Sequence, residues 1–106
     1  MKYALCLRPE VVEDAHEVFL WYEAAATGLG HEFLRSYFAA VAGAQREPQI
    51  HRKVYHDFRR VLLGRFPYAA YFRTERNRVV IFLLVHGARD PAFVRRSLRT
   101  RKSAKQ

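Results

Sequence analysis

The sequence predicts an α+β fold. An N-terminal strand and a helical hairpin pack on a mainly antiparallel sheet in the order β-α-α-β-β-β, with a short C-terminal helix or tail. Three observations predict it. The unbroken apolar run Val79–Val85 reads as a strand covered on both faces. Two earlier stretches repeat apolar residues at helical spacing. From Arg59 onward, runs of strand length alternate with polar turns.

Each element follows from local chemistry. Tyr3 to Arg8 is expected to be a strand with Tyr3, Leu5 and Leu7 on one face. Pro9 suits the first turn of a helix, where a missing N–H costs nothing, and the acids that follow complement the helix dipole. Val11, Ala15, Val18, Tyr22 and Ala25 form its buried stripe, which turns Glu10, Asp14 and Glu17 to water. Gly28 and Gly30 stop this helix near Thr27. A second helix carries Phe33, Leu34, Tyr37, Phe38, Val41 and Ala44 and ends before Pro48. The connection is short enough to make the two antiparallel. Gln49 to Asp57 reads as a loop or an irregular edge strand. Strands follow near Phe58–Leu63, Pro67–Thr74 and Arg78–His86, the last two joined through Glu75-Arg76-Asn77. Ala92 to Leu98 forms a short last helix.

A chain of 106 residues, 50% hydrophobic and 14% aromatic, is one domain with material for one core. Residues 1–98 are assigned to it and 99–106 to a basic, flexible tail. The longest apolar run is seven residues, against the roughly 20 needed to span a bilayer, and no signal-peptide pattern follows Met1. One cysteine, Cys6, permits no internal disulfide and fits a reducing compartment, so a cytoplasmic protein is expected. The net charge is +9 and the pI near 10.3, which points to an acidic partner. The charge is polarised. Glu10 to Glu32 holds six acids and no Lys or Arg, whereas the chain from Phe33 onward carries 17 basic residues against four acids.

Arg59, Arg60, Arg65, Arg73 and Arg89 fall at or near neighbouring strands, so they are expected on the sheet face that the hairpin leaves open. Clustered guanidiniums suit phosphate or carboxylate, and the interleaved Phe66, Tyr68, Tyr71 and Phe72 could stack bases. The same pattern also fits solvated arginines above core aromatics. Five histidines show no metal-binding spacing, and neither a metal nor a cofactor is expected. His86 ends the central strand beside Gly87 and Arg89; it suits either general acid–base work or a hydrogen bond to a loop carbonyl. Asp90 suits the cap of the last helix or a pair with Arg89.

Several short motifs occur in one order along the chain. They are Leu7-Arg8-Pro9-Glu10 with Asp14 and Trp21-Tyr22, Gly28-Leu29-Gly30 with Phe33-Leu34, and Pro48. After them come Arg59-Arg60, Arg65-Phe66-Pro67-Tyr68 with Tyr71-Phe72, and His86-Gly87-Ala88-Arg89-Asp90-Pro91. In this order the chain resembles the RelE/ParE superfamily of bacterial toxins, and within it the ParE-like, plasmid-stabilisation branch. The resemblance implies the toxin of a type II toxin–antitoxin pair, inhibiting DNA gyrase by binding and neutralised by a cognate antitoxin. It implies target-binding roles for Arg59, Arg60, Arg65, Tyr68, Tyr71, Arg73, Arg89, Arg95, Arg96 and Arg99.

An alternative within the superfamily is the RelE-like, ribosome-dependent mRNA endonuclease, in which His86 and Arg89 are the catalytic candidates. Ala69 follows Tyr68 where that branch has an arginine, Lys53 stands alone, and no tyrosine comes after Tyr71. Cleavage through a 2′-OH needs base, acid and charge stabilisation together, so this departure weighs against an enzyme. A third class, a non-toxic basic nucleic-acid-binding module, fits the charge alone.

Overall fold

The computed structural model describes residues 2–103. In chain order these form β1 (Ala4–Leu7), α1 (Pro9–Ala25), α2 (Leu29–Arg46), a 3-10 turn (Pro48–Ile50), β2 (Lys53–Tyr55), β3 (Phe58–Leu62), β4 (Tyr68–Glu75), β5 (Arg78–His86) and α3 (Pro91–Ser103). The sheet order is β1-β5-β4-β3-β2, with β1 parallel to β5 and every other pair antiparallel. The expected α+β architecture is therefore present, and the segment before Phe58 resolves into a short edge strand.

The helical hairpin owes its closeness to two glycines. Gly28 ends the connection in the left-handed region at φ 89°, which favours glycine. Gly30 does not stop α1 as expected but lies in α2, where a Cβ would stand 2.7 Å from both the Phe19 ring and its carbonyl oxygen. The first amides of α2 are met by Glu23, whose carboxylate accepts the Gly28 and Gly30 N–H groups at 2.9 Å each. Those bonds, that of Gly28 foremost, hold the Glu23 carboxyl below the usual range against the opposing effect of burial.

On one sheet face Val11 and Ala15 of α1 with Phe33, Tyr37, Val41 and Ala44 of α2 bury Val61, Ala70, Phe72, Val79, Ile81 and Leu84. The other face is not open. Val94 and Leu98 of α3 pack there with Phe58, Ala69, Tyr71, Val80, Phe82 and Leu83. The register explains why two consecutive residues point that way. Tyr71 pairs with Leu83 and Phe72 with Ile81, so Phe82 is an extra residue bulged into the ladder.

The C-terminal expectation needs correction. α3 continues to Ser103, so 99–103 are helical and part of the packed body, while 104–106 lie outside the described residues. The reason is a contact distant in sequence. Arg101 forms a bidentate pair with Asp14 at 2.7 and 3.1 Å and donates to the Phe82 carbonyl at 2.8 Å. Arg8 adds a bond to the Arg101 carbonyl at 2.9 Å and lies 4.6 Å over the Phe82 ring. Asp14 thus faces this junction and not water: its side chain is 18% exposed and also accepts the Leu84 N–H at 3.0 Å.

Candidate functional site

Where α3 begins, it meets the β2–β4 end of the sheet in a cleft of about 160 Å³. Arg60 of β3 sits in register with Tyr71 of β4, and both line this cleft with Tyr55, Arg89 and Arg95. Strand alternation puts Arg60 on the same face as Phe58, and Val94 and Arg95 lie one turn into α3, after Asp90 caps it through the Ala92 N–H at 2.9 Å. The Arg89 guanidinium lies 3.7 Å over the Phe93 ring, which fixes it at the rim.

No carboxylate lines the cleft, and among the described residues Arg60, Arg89 and Arg95 form no ion pair. Arg99 extends the positive rim by donating to the Tyr55 hydroxyl at 3.3 Å, and Arg96 lies 5.8 Å over Phe93. Three cations without a counter-charge around a concave surface can receive phosphate or carboxylate oxygens bidentately.

A second groove, of about 280 Å³, follows the far end of β5 and includes Tyr68, His86 and Arg89. The Tyr68 and His86 rings meet edge to face at 5.4 Å. The His86 Nδ1 accepts the Ala88 N–H at 3.0 Å, so the loop bond anticipated for this histidine involves a donor and not a carbonyl. With Nδ1 accepting, Nε2 is the nitrogen left to meet a ligand. Burial first, then Tyr22, raises the Tyr68 hydroxyl above its ordinary value, which disfavours the phenolate a base would need.

Other expected members lie elsewhere. Arg59 turns to the opposite side and donates to the Gln49 and His51 carbonyls at 3.3 and 2.7 Å. Arg65 is paired with Glu32 of α2 at 3.1 Å. Arg73 is paired with Glu75 at 2.9 Å and lies over the Phe58 and Phe82 rings. The aromatics expected to stack bases are mostly core: Phe66 is 9%, Tyr71 6% and Phe72 0% exposed. What gathers is thus Arg60, Tyr71, Arg89 and Arg95, with Arg96 and Arg99 beside them.

The outer side of the hairpin carries a third feature. Val12, Phe19, Leu34 and Phe38 border an apolar groove of about 260 Å³, and Val12, Leu20, Trp21 and Phe38 are all about half or more exposed. Beneath it Tyr37 is buried, and burial, with a smaller effect of the Asp14 charge, pushes its hydroxyl up to about 12. Among the described residues no helix is long and apolar enough to cross a membrane. No protein-family model and no curated protein matches the chain.

Proposed function

We propose that the chain is the toxin of a type II toxin–antitoxin pair, resembling the ParE-like branch of the RelE/ParE superfamily, and that it acts on DNA gyrase by binding. The observation that carries this reading is the cleft of Arg60, Arg89 and Arg95, which among the described residues form no ion pair and have no acid in the lining. Such a surface suits an acidic target and offers charge stabilisation without a positioned base and acid. The apolar groove of the hairpin supports the antitoxin half of the proposal. An exposed apolar patch on the hairpin side and a basic surface on the α3 side fit a segment that orders on binding and wraps the chain, covering the first and neutralising the second.

One observation favours a second reading, the RelE-like mRNA endonuclease. Tyr68, His86 and Arg89 border one groove, and the His86 Nε2 is free for proton transfer there. Expression in bacteria followed by primer extension on ribosome-bound mRNA separates the two. The gyrase reading predicts growth arrest with uncut message, and arrest that survives His86→Ala. Codon-specific cleavage abolished by His86→Ala would instead establish the nuclease.

A further inference from the structure

After Asp90 the chain contains no acid, and α3 carries Arg95, Arg96, Arg99, Arg101 and Lys102. Among the described residues only Arg101 of the five has a carboxylate partner, Asp14. At about 100° per helical residue, Arg95, Arg99 and Lys102 fall within about 60° of one another, and Arg101 lies about 100–160° away. The acids of α1 meet α3 on that other flank, where Glu10, Glu13, Asp14 and Glu17 line one pocket with Arg101. The row of three is turned from them, and Arg95 sets its start at the cleft of Arg60 and Arg89. Packing does not account for the row. All three side chains are exposed, and like charges three and four residues apart weaken a helix.

The chemistry of this face selects its occupant. A protein interface closes around an apolar centre, yet none of the large exposed hydrophobic side chains lies on α3. From Arg95 to Ser103 the exposed residues are arginine, lysine, serine and threonine, the side chains that meet phosphates in DNA complexes. A single strand needs free rings on which to stack its bases, and the rings here are taken. Arg89 and Arg96 lie 3.7 and 5.8 Å over Phe93, Tyr55 stacks on Phe58, and Tyr71 is 6% exposed. A duplex keeps its bases inside and offers phosphates along its edge. We propose that the row Arg95, Arg99 and Lys102, with Arg60 and Arg89 at its start, binds the phosphate backbone of duplex DNA without reading its sequence. The row is about 10 Å long, which spans roughly three phosphates of one strand.

The inference deepens the gyrase reading and rests on it for which duplex is met in the cell, the DNA segment that gyrase holds. The poison then grips enzyme-bound DNA and not the enzyme alone. Its test needs no gyrase: the purified chain is titrated into a short, labelled duplex of mixed sequence, and binding is read by fluorescence anisotropy. Five phosphate contacts give a log–log salt slope of about −4.5, so affinity should fall at least about a hundredfold between about 50 and 200 mM salt. Arg95→Gln with Arg99→Gln should weaken binding at least about tenfold and make the slope shallower by about 2. Arg35→Gln with Arg46→Gln removes the same charge from exposed positions on α2 and should change affinity less than about threefold. Circular dichroism establishes that both double variants are folded.

No binding at about 50 mM salt, equal losses in the two double variants, or tighter binding of single-stranded DNA or an RNA duplex overturns the inference. Displacement by poly-glutamate as readily as by unlabelled duplex overturns it too, in favour of an acidic protein. Supercoiling inhibited by a chain that binds no DNA removes this contact and leaves the gyrase reading standing. DNA binding that behaves as expected, with supercoiling unaffected, supports the contact and removes the gyrase reading.

Discussion

Replacing Arg101 by methionine tests whether the junction of α1, β5 and α3 is a structural element or a surface ornament. The change keeps a long apolar stem but removes the pair with Asp14, at 2.7 and 3.1 Å, and the bond to the Phe82 carbonyl. Both side chains of the pair are about one-fifth exposed, 21% and 18%. Removing one member of a fully buried pair costs about 3–5 kcal/mol, because the other is left charged and unpaired. Partial exposure lowers that figure, and about 2–3 kcal/mol is expected here. With a urea dependence of about 1–3 kcal/mol/M, the unfolding midpoint should fall by about 1 M. Urea titration followed by circular dichroism reads this directly. Asp14→Asn and the double variant complete a cycle whose coupling should be about 1 kcal/mol or more. A loss within about 0.5 kcal/mol, the range of ordinary surface substitutions, would refute the reasoning.

Other consequences follow from the same geometry. Gly30→Ala should cost about 1–3 kcal/mol in thermal or urea unfolding, since the new Cβ meets the backbone oxygen of Phe19 at 2.7 Å and not only a movable ring. Ile81→Asp should prevent folding, as seen by loss of a cooperative melt, because Ile81 is 0% exposed and an unpaired carboxylate there costs several kcal/mol, about the whole stability. The Glu23 carboxyl is depressed below its ordinary 4.5 in the folded chain, so its contribution is present above that value and is lost as pH falls through the lower, folded one. Glu23→Gln should therefore flatten the acid side of the melting-temperature profile. Arg60→Ala with Arg95→Ala should leave the melt unchanged yet weaken target inhibition by about thirtyfold, with a larger effect at low salt, each charge-assisted contact contributing roughly 1 kcal/mol.

The sequence made the architecture legible because its signals are local. The run from Val79 to Val85, the two amphipathic stripes and the glycines of the connection each depend on neighbours within a few residues. What it concealed depends on residues far apart. Nothing in the pattern of Asp14 distinguishes it from the exposed acids around it, because its partner stands 87 positions away. For the same reason α3 reads as a short helix with a frayed end. Deleting Arg95 to Gln106 therefore removes Leu98, which is 0% exposed, and not merely surface charge. The arginine cluster was legible in part. Strand alternation already separates Arg59 from Arg60, so the opposite face of Arg59 was legible, whereas the meeting of Arg60 with Arg89 and Arg95 and the pairing of Arg65 with Glu32 depend on elements far apart in the chain. The buried aromatics were ambiguous because the same side chains serve cores and bases, and only the position of α3 decides.

The most direct test of the proposed function is a supercoiling assay with purified gyrase, relaxed plasmid and the purified chain over a range of salt. Inhibition that weakens as salt rises, persists in His86→Ala and is diminished by Arg60→Ala with Arg95→Ala is the result predicted for a binding poison working through the arginines of the cleft. Full supercoiling activity in the presence of a molar excess of folded chain at low salt would contradict it.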